Sequence, residues 1–299
     1  MQSVQPAIGS PASEPAPAKT QAPARVIRPG RSDSLLNLKE IWLYRDLILA
    51  LAVRDIKLRY KQTVLGALWV VIQPLLAAGI FSIIFNGIAG LKTDAGVPPF
   101  VYVFSGMLIW TVFSGVVGKT SNIMVGNSAL VSKVYFPRIV LPLSVLPSIL
   151  VDLCVSLLVL AGLMLALQVP PTPLFFLWPV ALLIAMILAL GIGLISASLA
   201  VSYRDIPQIL PVLIGLLMYA SPIPYSISEV KDADINPLIE QLYFLNPLVE
   251  ILGFSRYLLL GVGQFSAQGL AIATGVSFGV FLLGLWCFRA LERRFADVI

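Results

Sequence analysis

The chain has 299 residues, of which 58% are hydrophobic and only 12% charged, with a mean hydropathy of +0.93. About a quarter of the residues of a soluble domain are charged, so this composition excludes a soluble globular enzyme and calls for an integral membrane protein. The net charge is +5, there is no histidine, and the two cysteines, Cys154 and Cys287, sit in apolar runs without metal-type spacing; a zinc site, a disulfide framework and histidine-based acid–base chemistry are therefore not expected.

Residues 1–34 are rich in Pro, Ala and Ser with scattered Lys19, Arg25, Arg28 and Arg31, the composition of a disordered tail. Near the start there is no apolar stretch of about 7 to 15 residues such as a secretory signal needs, so the tail is expected to stay in the cytoplasm. From Leu35 to Gln62 the pattern becomes helical. At about 100° per residue, Trp42, Leu49, Val53, Ile56 and Tyr60 share one arc while Arg54, Lys57 and Lys61 fall on another face. This predicts an interface helix over 35–62, its apolar stripe among acyl chains and its cations near anionic headgroups; a soluble helix packed on a partner protein would show the same pattern. The charges stop abruptly at Lys61, and Val64 to Ala89 contains none.

Apolar runs long enough to cross the hydrocarbon core, about 20 residues each, predict six transmembrane helices: Val64 to Ala89, Phe100 to Gly118, Ile139 to Leu167, Leu174 to Val201, Pro207 to Tyr225 and Ala267 to Phe288. Kinks are expected at Pro142 and Pro147 in the third and at Pro211 and Pro222 in the fifth. Gly275 and Gly279 form a small-residue pair in the sixth, read as helix packing rather than a dedicated dimer motif. Of the 20 Lys and Arg residues, all but Lys92, Lys231 and Arg256 then fall on the side of the termini. The positive-inside rule makes that side cytoplasmic, which accounts for the basic charge without nucleic acid. Between the last two spans, Pro237 to Gly261 is apolar but interrupted by Glu240, Glu250 and Arg256 and broken at Asn246-Pro247. Two short amphipathic, re-entrant helices over about 235–261 on the outer face are expected there, since an intact span would put Arg289, Arg293 and Arg294 outside.

Candidate chemistry is sparse. Gly115-Val-Val-Gly118-Lys119-Thr120 has two residues between its glycines where a phosphate-binding loop needs four, and no preceding strand. Any ATP must then be hydrolysed by another chain. Asp152 is the only ionisable residue placed deep in a span, where it either lines a passage or bonds to Ser148, Ser156 or a neighbouring helix; no intramembrane basic partner is expected for it. Two short connections, Asn127 to Arg138 and Ser202 to Ile206, each join two helices directly, so a push on either moves a helix pair.

Several motifs in one order resemble a known family. The core Arg54-Asp-Ile-Lys-Leu-Arg-Tyr-Lys-Gln-Thr63, then Trp69, Gln73-Pro74-Leu75, Lys133-Val-Tyr-Phe-Pro-Arg138 with Leu141-Pro142, Tyr203-Arg204-Asp205-Ile206 and Asn246-Pro247 are similar to the permease subunits of ABC-2 type exporters of bacterial polysaccharides. The likeness runs from about residue 35 to 299 and makes that stretch one transmembrane domain. It implies a homodimer with two copies of a cytoplasmic ABC ATPase, which holds the ATP and Mg, and a lipid-linked polysaccharide cargo carried on undecaprenyl diphosphate. O-antigen is the foremost candidate cargo; capsule and teichoic acid exporters share the motifs. The location implied is the bacterial inner membrane, multi-pass, with both termini cytoplasmic. By the same likeness Lys133, Tyr135, Phe136, Arg138, Tyr203, Arg204 and Asp205 are ATPase-coupling candidates, and Arg54, Lys57, Arg59 and Lys61 candidates for the diphosphate headgroup. A polymer passage wants aromatic faces, for which Phe100, Tyr102, Phe104, Trp110, Tyr219, Tyr225, Tyr243 and Phe244 are available; interfacial belt positions are the alternative. No catalytic, cofactor-binding or metal residues are assigned. A membrane-embedded glycosyl or acyl transferase would need acids or histidines converging at one face, and a secondary transporter would need internal repeats and more buried charge; neither pattern is visible.

Overall fold

In hydrocarbon every backbone polar group must be satisfied within its own segment, so long apolar runs fold as helices. In the computed structural model of the chain the described residues, 38–61, 68–91, 93, 96–233 and 236–298, are all-helical with no strand. The expected tail, Lys92 and the junction 62–67 lie outside them. The elements in order are α1 (Leu38–Leu43), α2 (Arg45–Lys61), α3 (Leu68–Phe81) running on as a π-helical Ser82–Ile88, α4 (Pro99–Gly126), α5 (Ser128–Lys133), α6 (Val140–Ala166), a 3-10 turn Pro173–Leu177 into α7 (Trp178–Ser202), α8 (Ile206–Tyr219), α9 (Ile227–Asp232), α10 (Pro237–Leu245), α11 (Pro247–Leu260) and α12 (Ala267–Val298).

Among the described residues five helices are long and apolar enough to cross a membrane: Leu68–Ile88, Pro99–Gly126, Val140–Ala166, Pro173–Ser202 and Ala267–Glu292. The expected fifth span is shorter than read. As α8 it has 14 residues, about 21 Å against a core of about 30 Å, and the chain continues through a non-helical Ser221–Pro222–Ile223 turn before α9. Pro222 therefore lies beyond the helix it was expected to kink, and Pro142 sits in the first turn of α6, where no internal hydrogen bond is lost. Pro147 and Pro211 are inside their helices as read, and Pro74 inside α3 is a further one.

A parallel trio, α4, α7 and α12, forms the centre, with α6 antiparallel beside α4 and α11 packed over one end. The close approach depends on missing side chains. A Cβ at Gly191 would fall 2.6 Å from the Phe281 backbone nitrogen, one at Gly284 2.5 Å from the Gly191 carbonyl, and one at Gly193 2.8 Å from Thr120 Cβ. The predicted packing pair is corrected by this: Cβ atoms at Gly275 and Gly279 would meet nothing, so α12 uses a different glycine one turn further on.

The interface helix is broken at Tyr44 into α1 and α2, and α2 packs along α6. Tyr44, Leu47, Ile48, Leu51 and Ala52 turn inward, while Trp42, Leu49 and Val53 of the predicted arc are exposed. The helix thus has two apolar faces, one for the protein and one for its surroundings.

The segment after α8 breaks at Asn246-Pro247 as expected. Asn246 caps α11 by accepting from Leu248 N at 3.0 Å, and its amide donates to the Ala220 carbonyl at 3.2 Å. Gly261 closes α11 in the left-handed region at φ 71°. The two helices of this outer segment differ in burial. No residue of α10 is fully buried, although the Tyr243 hydroxyl is, whereas α11 buries Leu248, Val249, Ile251, Leu252, Ser255, Arg256 and Leu258 to Leu260.

Candidate functional site

In sequence Lys119 follows the expected second span, Phe100 to Gly118, and so counts as a loop cation. The structure continues the second span eight residues past Gly118, to Gly126, which puts Lys119 inside α4. There its ammonium donates to Ser148 Oγ on α6 at 3.2 Å. One turn along α6 stands Asp152, whose carboxylate is ion-paired with Arg59 from α2. Of the readings open for Asp152, a bond to a neighbouring helix is the one the structure shows: the basic partner comes not from a span but from the interface helix, whose register could not be placed against α6 from sequence. Ser156 donates to the Asp152 main-chain carbonyl at 3.1 Å, and its hydroxyl leaves the carboxylate to Arg59.

These groups line a cavity of about 960 Å³ bounded by α3, α4, α6 and the end of α2. Its other walls include Trp69, Gln73 and Pro74 of α3, Met107, Trp110, Thr111 and Ser114 of α4, and Met218 of α8. Ser114 and Thr111 are spent on α4 carbonyls. Charge in the cavity is concentrated on one side.

The other headgroup candidates are placed differently. Arg54 donates to Asn127 Oδ1 at 2.9 Å and pairs with Asp55 at 3.0 Å, which ties α2 to the start of the first connection. Lys57 and Lys61 are exposed. The structure brings only Arg59 of the four into the cavity.

A second buried polar centre was missed. Arg256, expected as an outer-face charge, is 1% exposed. Its guanidinium lies over the Tyr102 ring at 3.9 Å, donates to Tyr102 Oη at 3.2 Å and to the Ile223 carbonyl at 2.6 Å, and also reaches the Pro222 carbonyl. Gly106 makes room for it, since a Cβ there would lie 2.5 Å from Nη2. Thus α4, α11 and the turn after α8 meet on one cation. An apolar face around Arg256 was the available sequence signal.

The eight passage aromatics are dispersed. Tyr102 and Phe104 are buried within the chain, with Tyr102 taken by Arg256. Phe100 stacks on Phe104 at 6.4 Å between ring centroids, and only Trp110 lines the cavity. Tyr219 is exposed on α8 and meets Phe81 edge-on at 6.2 Å. Tyr225 donates to the Tyr219 carbonyl at 3.0 Å and neighbours Tyr243, which meets Phe244 edge-on at 5.4 Å. Burial, with the Tyr225 hydroxyl beside it, pushes the Tyr243 phenol above its ordinary value, so it stays neutral.

The connection residues split into anchors and free surface. Phe136 is buried and Arg138 donates to the Glu292 carbonyl near the end of α12, which fixes the first connection to the helix trio. Lys133 and Tyr135 next to them are exposed, as are Tyr203, Arg204 and Asp205 in the second connection. Because α4, α7 and α12 run parallel, both connections and the last turns of α12 lie at one end of the molecule.

These features define a multi-pass helical membrane protein with an ionic cavity among its helices and basic, aromatic connections at one end. The chain belongs to the ABC-2 type transporter family, whose model matches residues 46–260. It is 29% identical over 262 residues to the O-antigen export system permease protein RfbA of Myxococcus xanthus, covering 88% of this chain and 98% of that protein. A Klebsiella pneumoniae protein of the same name is 28% identical over 259 residues, 85% of this chain and 95% of its own. The polysialic acid transport protein KpsM of Escherichia coli is 25% identical over 255 residues, 82% of this chain and 93% of its own.

Proposed function

We propose that this chain is the permease subunit of an ATP-driven exporter that moves a lipid-linked polysaccharide, O-antigen foremost, across the bacterial inner membrane. The likeness to two O-antigen export permeases over nearly their whole length carries this reading. In it the chain is not an enzyme: two copies pair as a homodimer and engage two copies of a cytoplasmic ABC ATPase, which supplies ATP and Mg. Both termini and the two connections face the cytoplasm. The short α8 counts as the sixth crossing, its depth completed by the non-helical turn after it, and α10 and α11 form the outer, re-entrant part.

The work reaches the helices through the connections. The exposed Lys133, Tyr135, Tyr203, Arg204 and Asp205 offer a docking surface, while Phe136 and Arg138 tie it to α12. Closure of two ATPases pushes this surface, and the push passes into α4 and α6 at the first connection and into α7 and α8 at the second. Deleting the gene in its native strain is expected to remove surface polysaccharide and leave an undecaprenyl-linked glycan inside. Purification from native membrane is expected to bring an ATPase along. Normal surface glycan in the deletion strain refutes the reading.

A further inference from the structure

We propose that Arg59, Lys119 and Asp152 form an intramembrane binding site for the phosphate of an anionic lipid, with Asp152 as a built-in stand-in that occupies Arg59 when the site is empty. The proposal rests on the export reading only for the source of that lipid.

The charge balance is the first argument. Two cations line the cavity, Arg59 of α2 and Lys119 of α4, against one carboxylate, Asp152 of α6, while Arg54 and Asp55 of α2 are not part of its lining. Arg54 pairs with Asp55 and Arg59 with Asp152. Lys119 is left on a neutral hydroxyl, Ser148 Oγ. A cation among apolar walls is costly unless a counter-charge meets it, so the site attracts an anion.

Shape and chemistry favour a phosphate ester. The cavity, about 960 Å³, is at the upper end of ligand pockets, which run to about 1,000 Å³. A guanidinium and an ammonium on facing helices suit oxygens spread over one or two phosphoryl groups. Trp69 and Trp110 with Met107 and Met218 make the remaining wall largely apolar, fitting what such a lipid carries beyond its phosphate. An inorganic ion would leave that wall unused.

Asp152 then has a definite task. By competing for Arg59 it keeps the pair satisfied before the ligand arrives and weakens the ligand's hold afterwards. A carrier whose cargo must leave needs the second property as much as the first. Removing the carboxylate should therefore tighten binding, whereas a merely structural ion pair gives no gain.

The test uses the full chain purified in detergent, with farnesyl diphosphate, farnesol and phosphatidylglycerol as probes and tryptophan fluorescence as the readout. Farnesyl diphosphate is expected to bind and farnesol not. Lys119→Gln is expected to weaken that binding about tenfold, the loss of one charge-assisted contact, and Asp152→Asn to strengthen it by a similar factor. The double variant Arg59→Gln/Asp152→Asn keeps the pair neutral, so it should retain the melting temperature and lose the binding. Competition by phosphatidylglycerol separates the sources: strong competition marks the ligand as a bilayer phospholipid, and its absence as a diphosphate carrier, the anion site standing in both cases. Equal binding of farnesol, or unchanged affinity in Lys119→Gln and the double variant, overturns the site. A failed binding test in a strain whose deletion still loses surface glycan refutes the site and leaves the export function untouched.

Discussion

Arg256 holds three segments through one side chain. Its charge is met by two carbonyls, a phenol and a ring face, all within the chain. Truncation leaves those acceptors without a donor, which costs about 3 kcal/mol in a buried setting. Arg256→Ala is therefore expected to lower the melting temperature in detergent by several degrees. Gly106→Ala should do the same by pushing Nη2 away from its partners, because the added Cβ would lie 2.5 Å from it. The two changes act on one contact and should not add: in an Arg256→Ala background, Gly106→Ala is expected to cost little. Additive losses would show that Gly106 matters for another reason.

At the scale of elements, helix contact and connection surface make separate demands. The α7 and α12 backbones touch at Gly191 and Gly284, where no β-carbon fits. Gly191→Val forces the pair apart and is expected to destabilise the protein by about 2–3 kcal/mol, with reduced amounts in the membrane. The same substitution at Gly275 or Gly279 meets open space and should leave the expression level unchanged. On the connections, charge reversal is the sharper probe because the side chains already face outward. Lys133→Glu and Arg204→Glu should leave folding intact and uncouple ATP hydrolysis from export, read as lost surface glycan with retained ATPase activity. Unchanged surface glycan in both variants would count against their role in coupling.

At the scale of the whole molecule, the proposal depends on which side of the membrane the connections face. Both lie at the end where α4, α7 and α12 finish. With Cys154→Ser and Cys287→Ser as background, Lys133→Cys and Arg204→Cys are expected to resist an impermeant maleimide in intact cells and to react after permeabilisation. Labelling from outside would invert the molecule and place the ATPase surface in the wrong compartment.

Membrane class, five of the six expected spans with their approximate limits and the break at Asn246-Pro247 are legible in the sequence, because hydrocarbon thickness and proline geometry act locally on the chain, whereas the expected fifth span proves to be the short α8. The orientation expectation is local in the same sense, since it counts charges near helix ends. Partner choice is not local. Lys119 ends an apolar run and so reads as a loop residue, yet its ammonium turns to Ser148 on α6. Arg256 reads as an outer charge and is among the largest fully buried side chains. Asp152 reads as lining a passage or bonding to a neighbour of unspecified identity, and it meets Arg59 from a helix 93 residues away in sequence. Helical periodicity says which residues share a face of one helix, but the face that meets another helix, and at what height, is settled only when side chains from both fill the same space. The ionic cavity exists at that level alone.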